Sequence, residues 1–246
     1  MQIIPPHPLP IIDAPGMRTL CVADLNTDGG SKRVSGRTEP LTTYLVNKAA
    51  RNVDVITLQE TCANQYTSIL VGLGPPWTGT FRRFGQMDGC HGRQHGLSIF
   101  TRGPHSDAQA WPLPHPNPDH DSRGEKWWGL MKVTFKGIEI YNTHIRSWDR
   151  VRKEQTVSVL GKVARPGVGK AILAGDFNQT PDSPEFAGIY QHWVECDPSR
   201  HPTIHANGVD KKIDYIWATW KPFQMFGGAV EAPSDHGLVW ALIRYR

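Results

Sequence analysis

Eight polar side chains carry most of the chemical information in this 246-residue sequence: Asn26, Glu60, His144, Asp176, Asn178, Asp214, Asp235 and His236. Carboxylate and amide oxygens are hard donors that suit Mg²⁺, an ion that keeps several waters and asks for few protein ligands. An imidazole beside them can hold or accept a proton near neutral pH. Hydrolysis at phosphorus uses that combination: a cation and hydrogen-bond donors face the charge developing on phosphoryl oxygens, and a base takes a proton from water.

These residues are far apart in the chain, yet nearly all stand at or just past the end of an apolar, β-branched segment that predicts a strand. Strands are expected at 17–25, 53–59, 96–101, 128–135, 138–145, 171–177, 212–219 and 237–244. Residues 39–51 read as a helix capped by Thr38 with Pro40 in its first turn, and Ser183-Pro184-Glu185 starts another. Residues 149–164 read as a helix with Val157, Leu160 and Ala164 on one face. This alternation implies an α/β or α+β sandwich with mixed sheets. In α/β folds the strand ends bring separate segments together at one mouth over a rigid sheet.

Composition is ordinary for a globular chain, with 39% apolar and 20% charged residues, and no uninterrupted apolar run long enough to span a bilayer. A single domain is expected over 17–246, after an extended, proline-rich arm at 1–16 that lacks the layout of a signal peptide. A secreted location with a leader already removed is favoured over a cytoplasmic one. The net charge of +4 permits encounter with polyanions without establishing it. No CxxC pair exists among Cys21, Cys62, Cys90 and Cys196, which argues against structural zinc. Cys62 and Cys90 can bridge in an oxidising compartment, and four reduced cysteines are equally compatible with the sequence. Five prolines in residues 103–124 point to a long surface loop.

The segments ADLN (23–26), TLQE (57–60), NTHI (142–145), GDFN (175–178), IDYIW (213–217) and SDHG (234–237) resemble, in type and order, the motif series of the endonuclease/exonuclease/phosphatase superfamily, which includes DNase I. The resemblance runs from about residue 17 to the end. It implies a DNase I-like four-layer α/β/β/α sandwich with two mixed β-sheets, and a Mg²⁺-dependent (or Mn²⁺- or Ca²⁺-dependent) phosphoester hydrolase that works as a monomer. By the same resemblance Glu60 is the principal metal ligand, helped by Asn26, with Asp235 on that ion or a second one. Asp176 orients or deprotonates water or assists the leaving oxygen. Asn178 and His144 donate to the phosphate. His236 touches the phosphate or acts as base, its tautomer fixed by Asp214. The first motif departs from many relatives, which carry an aromatic residue just before the Asn.

Each residue also has a plainer reading. Asn26 can cap a turn at NTDGG, and Asp214 can pair with Lys211 or Lys212 instead of His236. His91, His95, His105, His115, His120, His192, His201 and His205 lie mostly in polar stretches, where a solvated imidazole is expected. Arg82, Arg83, Arg93 and Arg102 can grip a substrate or lie on a solvated face, and Arg146, Arg150, Arg152 and Lys153 can line the mouth. Trp127, Trp128 and Trp217 read as core, and Trp148 as a stacking surface. The expected substrate is a phosphodiester, nucleic acid first. A small-molecule or lipid phosphoester is the alternative, and an inactive binding module the third reading.

Overall fold

The computed structural model describes residues 16–31, 34–87, 89–90, 94–114, 128–147, 149–163, 169–206, 208–220, 222 and 224–246. The N-terminal arm through residue 15, the segment 115–127 and Trp148 therefore lie outside the described residues.

The strands in chain order are β1 (Arg18–Asn26), β2 (Val55–Cys62), β3 (Trp77–Gln86), β4 (Gln94–Arg102), β5 (Ser106–Pro112), β6 (Gly129–Phe135) and β7 (Ile138–His144). They continue with β8 (Ala171–Asp176), β9 (Val194–Glu195), β10 (Ile204–Ala206), β11 (Val209–Lys211), β12 (Asp214–Ala218), β13 (Gln224–Val230) and β14 (Leu238–Tyr245). The helices are α1 (Leu41–Tyr44), α2 (Ala63–Leu73), α3 (Asp149–Val163) and α4 (Ala187–Tyr190).

Side chains of a strand alternate between faces, and here both faces are buried, which is why the central strands read as continuous apolar runs. In β1, Leu20 and Val22 join the core between the sheets, while Cys21, Ala23 and Leu25 face the helical side. The first sheet has the order β13-β14-β1-β2-β4-β3 and the second β5-β6-β7-β8-β12-β9, with β10 and β11 as a separate pair. Each large sheet contains one parallel pair, β1 with β2 and β7 with β8, joined by the α1 segment and by α3. Parallel neighbours need such crossovers.

Three apolar clusters define the layers. Val22, Val55 and Ile99 of the first sheet meet Val133, Ile140 and Ile172 of the second. Leu41, Leu45 and Ile69 cover the outer face of the first sheet. Val159, Val163, Phe186 and Ile189 cover the outer face of the second, over Tyr141, Leu173 and Trp217. The result is a four-layer α/β/β/α sandwich.

Several local expectations change. The helix expected at 39–51 runs as α1, then a π-turn at Leu45–Ala49 and a 3₁₀ turn at Ala50–Asn52. In α3 the buried side chains among the described residues are Gln155, Thr156, Val159 and Val163, and Val157 is exposed. The proline-rich stretch contains the edge strand β5, which tolerates Pro112 because that residue ends the strand. Edge strands β3 and β13 lack a strong apolar pattern because they are only partly buried. The helix α2 begins directly after β2, where Cys62 and Gln65 form a reciprocal cap. Among the described residues, no helix is long and apolar enough to cross a membrane.

Candidate active site

Register assembles half of the site. In the second sheet His144 lies opposite Asp176 across the β7–β8 pair, and Asp214 opposite Asp176 across β8–β12. Three chemical side chains therefore stand in one row across adjacent strands. Gly175 permits this: its φ is +144°, and a Cβ there would lie 2.0 Å from the Thr143 carbonyl oxygen. In the first sheet Asn26 ends β1 opposite Gln59. The β2–β4 register then slips between Leu58 and Thr61, and Glu60 takes a φ of +52°. A bulge re-aims the side chain it carries, and a non-glycine residue at positive φ is held there by its surroundings.

Hydrogen bonds join the halves. The Asn26 amide nitrogen donates to Glu60 Oε1 at 3.2 Å and to Asp176 Oδ2 at 3.0 Å, so it spans both sheets. Asn26 Oδ1 accepts from the Asp28 N–H at 3.0 Å. The Asn178 N–H donates to Asp176 Oδ1 at 2.8 Å, and the Asn178 amide donates to the Ile145 carbonyl at 2.8 Å. Ser234 Oγ donates to the Asn26 carbonyl at 2.6 Å and pins the SDHG loop to the end of β1. His236 Nδ1 lies 2.9 and 3.0 Å from the two Asp214 oxygens, while its Nε2 faces Asp176 Oδ2 at 4.0 Å. Beneath the site, Gln59 Nε2 donates to Asp24 Oδ1 and Asn142 Oδ1, both at 2.7 Å, a second bridge between the sheets.

Charge is crowded here. Burial and then the neighbouring Asp214 push the Asp176 carboxyl up to about 8. Burial alone would raise Glu60, but His95, His144 and Asn26 outweigh it and hold the carboxyl at about 2. Burial drives His144 down to about 4 despite the pull of Glu60, so its imidazole is neutral at pH 7. At His236 burial opposes the charge, and Asp214, with Asp176 and Asp235 adding to it, overcomes that and raises the ring to about 10. A buried carboxyl raised by a neighbouring carboxylate is what a divalent cation would neutralise, and the oxygen-rich donor set fits such an ion. Ligand atoms of Asp176, Asp214 and His236 lie within 4.8 Å of one another and could hold one. Both Asp214 oxygens are already engaged by His236, which leaves Glu60 and Asp176 as the carboxylates better placed for a metal.

The structure brings seven of the eight sequence-selected side chains into this one mouth, and Asp235 stands exposed at its rim, its Oδ1 accepting from Ser234 at 3.2 Å. Asn26 turns its nitrogen, not its oxygen, to the carboxylates, the geometry of a tether more than of a ligand. Lys212 is buried with Asp197 at 3.0 Å and Glu195 at 3.5 Å, so Asp214 is left to His236. Arg102 binds the Val53 and Ala50 carbonyls and lies over Trp77, a structural role. Arg146 is buried over Trp128, whose ring edge meets His144, and Arg152 donates to the Asn178 carbonyl. Trp128 thus borders the site as well as packing on the core, whereas Trp217 is core. Cys62 and Cys90 are joined by a disulfide, and Cys21 and Cys196 are free and buried. Sequence reasoning missed His95, which is 3% exposed and faces Glu60 at 3.8 Å. Its period-2 position in β4 was the available signal.

The fold and this mouth define a class. Over residues 25–236 the sequence matches the Endonuclease/Exonuclease/phosphatase family. The chain belongs to that family, whose members hydrolyse phosphoesters. A search of curated proteins finds no match. Among solved structures, a truncated Caenorhabditis elegans TDP2 is similar at 16% identity and a TM-score of 0.69, covering 92% of this chain and 97% of that one. An endonuclease/exonuclease/phosphatase from Beutenbergia cavernae aligns at 22% identity and a TM-score of 0.70, covering 93% of this chain and 72% of that one. A Bacteroides thetaiotaomicron mannosyl-6-phosphatase aligns at 18% identity and 0.67, covering 91% of this chain and 99% of that one. At these identities the likeness is one of fold.

Proposed function

We propose that this chain is a phosphodiesterase dependent on a divalent cation, Mg²⁺ or Mn²⁺, with nucleic acid as its first substrate class, acting as a monomer in an oxidising, extracellular setting. The observation that carries the reading is the pairing of a cationic His236, held by Asp214, with Asp176 across 4.0 Å. A positive ring and a carboxyl whose proton affinity lies near neutrality can respectively stabilise phosphoryl charge and exchange a proton with water or the leaving oxygen. Neutral His144 and Asn178 supply uncharged donors on the other side of the same carboxyl. A divalent cation bound at Glu60 would neutralise charge on the phosphoryl oxygens. The Cys62–Cys90 disulfide supports the oxidising compartment.

One observation favours the second reading, a small-molecule phosphoester. Beside His236 lies a cleft of about 460 Å³ whose lining includes Asp210, Glu231 and Asp235. Carboxylates there repel a polyanionic backbone and suit a neutral or cationic leaving group. A panel of plasmid DNA, RNA, bis(p-nitrophenyl) phosphate, phosphomonoesters and sphingomyelin separates the two. Chelator-sensitive diester turnover is expected, reduced more than about a hundredfold in Asp176→Ala and in His236→Ala. Undiminished turnover in both variants would defeat the assignment, and turnover of monoesters alone would promote the second reading.

A further inference from the structure

Glu60 stands between two imidazoles, with His144 Nε2 3.9 Å from its Oε1 and His95 Nε2 3.8 Å from its Oε2. His144 also faces Asp176 at 3.5 Å and Asn178 at 3.4 Å, so it belongs to the phosphate side already described. His95 lies on the opposite side. It sits in β4, opposite Cys62 of β2 and Gly85 of β3, and is thus fixed by strands on both edges. Its neighbour Gly96 lets β3 approach so closely that a Cβ would lie 1.9 Å from the Arg82 carbonyl oxygen. The Cys62–Cys90 disulfide anchors the same strand end two residues beyond Glu60. Burial, double strand pairing and a covalent anchor hold this ring toward one oxygen of one carboxylate.

The spacing is informative. At 3.8 Å the two atoms are too far apart for a strong hydrogen bond. Two ligands of one cation, with bonds of about 2.1 Å each, can lie roughly 3 to 4 Å apart. We propose that His95 is a ligand of the divalent cation held by Glu60, which makes the site a mixed nitrogen and oxygen one that takes Mn²⁺, Co²⁺ or Zn²⁺ in preference to Mg²⁺. Imidazole suits these borderline cations, whereas Mg²⁺ prefers oxygen throughout. The inference rests on Glu60 being the principal cation ligand, and the test below separates the two.

Pulsed EPR of the Mn²⁺-loaded protein reads directly whether an imidazole nitrogen is coordinated, and calorimetry gives the affinity. Wild type is expected to show ¹⁴N modulation from histidine. His144→Ala should keep it. His95→Gln should lose it and bind Mn²⁺ at least about tenfold more weakly, with Mg²⁺ affinity changed much less and circular dichroism unaltered. Should His95→Gln fail to fold, modulation retained in a His144→Ala/His236→Ala double variant still supports the assignment. Absence of ¹⁴N modulation in wild type, or its loss in His144→Ala, overturns the role of His95 while leaving a metal at Glu60 intact. If wild type and Glu60→Gln bind Mn²⁺ equally, the Glu60 reading falls, and this inference with it.

Discussion

Replacing Asp214 by Asn removes one charge from the site while keeping the shape of the side chain and an acceptor for His236 Nδ1. In the native chain the His236 ring rises from 6.5 to about 10, against burial that works the other way. At ~1.4 kcal/mol for each tenfold change in proton affinity, this is about 5 kcal/mol of preference for the charged ring. Two effects reduce what the variant loses. The Asn oxygen retains a neutral hydrogen bond, and removing the Asp214 charge relieves Asp176, whose raised pKa makes its ionisation costly in the folded chain. The net destabilisation expected is about 3 kcal/mol, at the low end for breaking a buried pair. A folded pKa above the unfolded one contributes stability that is complete below about pH 6.5 and lost as pH climbs through about 10. Urea unfolding of both proteins at about pH 6, and again above the folded pKa of His236, should therefore show a gap that closes with rising pH. An NMR titration should find His236 well below about 10 in the variant, since only Asp176 and Asp235 then oppose burial. A gap of equal size at both pH values, or a wild-type His236 titrating near its ordinary value, would refute the account.

Gly175→Ala forces a side chain onto the Thr143 carbonyl and should cost more than about 2 kcal/mol in urea unfolding, with a further loss of turnover because Asp176 follows directly. Breaking the Cys62–Cys90 bridge, which has a separation of 28 residues, should cost about 3.5 kcal/mol in the chain-entropy picture. That corresponds to a fall in Tm of roughly 10 °C, read by calorimetry of Cys62→Ser/Cys90→Ser. Trp217→Ala should lose about 3–5 kcal/mol, because the fully buried ring packs among Tyr190, Phe186 and Tyr215. At a temperature where that variant stays folded, its turnover should remain near wild type.

The sequence by itself determined the alternation of elements, the apolar runs of the central strands, and the identity of the polar residues at their ends. Those follow from local rules: β-branched runs make strands, and residues just past a strand end face its mouth. The register that lines up His144, Asp176 and Asp214, and the bulge that aims Glu60, were settled only by strand pairing. So were the partner of Asp214, buried Lys212 being taken by Glu195 and Asp197, and the placement of Asp235 on the rim. The half-exposed edge strands β3 and β13 escaped the sequence for the same reason, since their residues alternate weakly and depend on a neighbour for their conformation. His95 shows the division most plainly: its alternation with Leu97 and Ile99 is the one local hint of burial, and only the packing of β4 between β2 and β3 turns it toward Glu60.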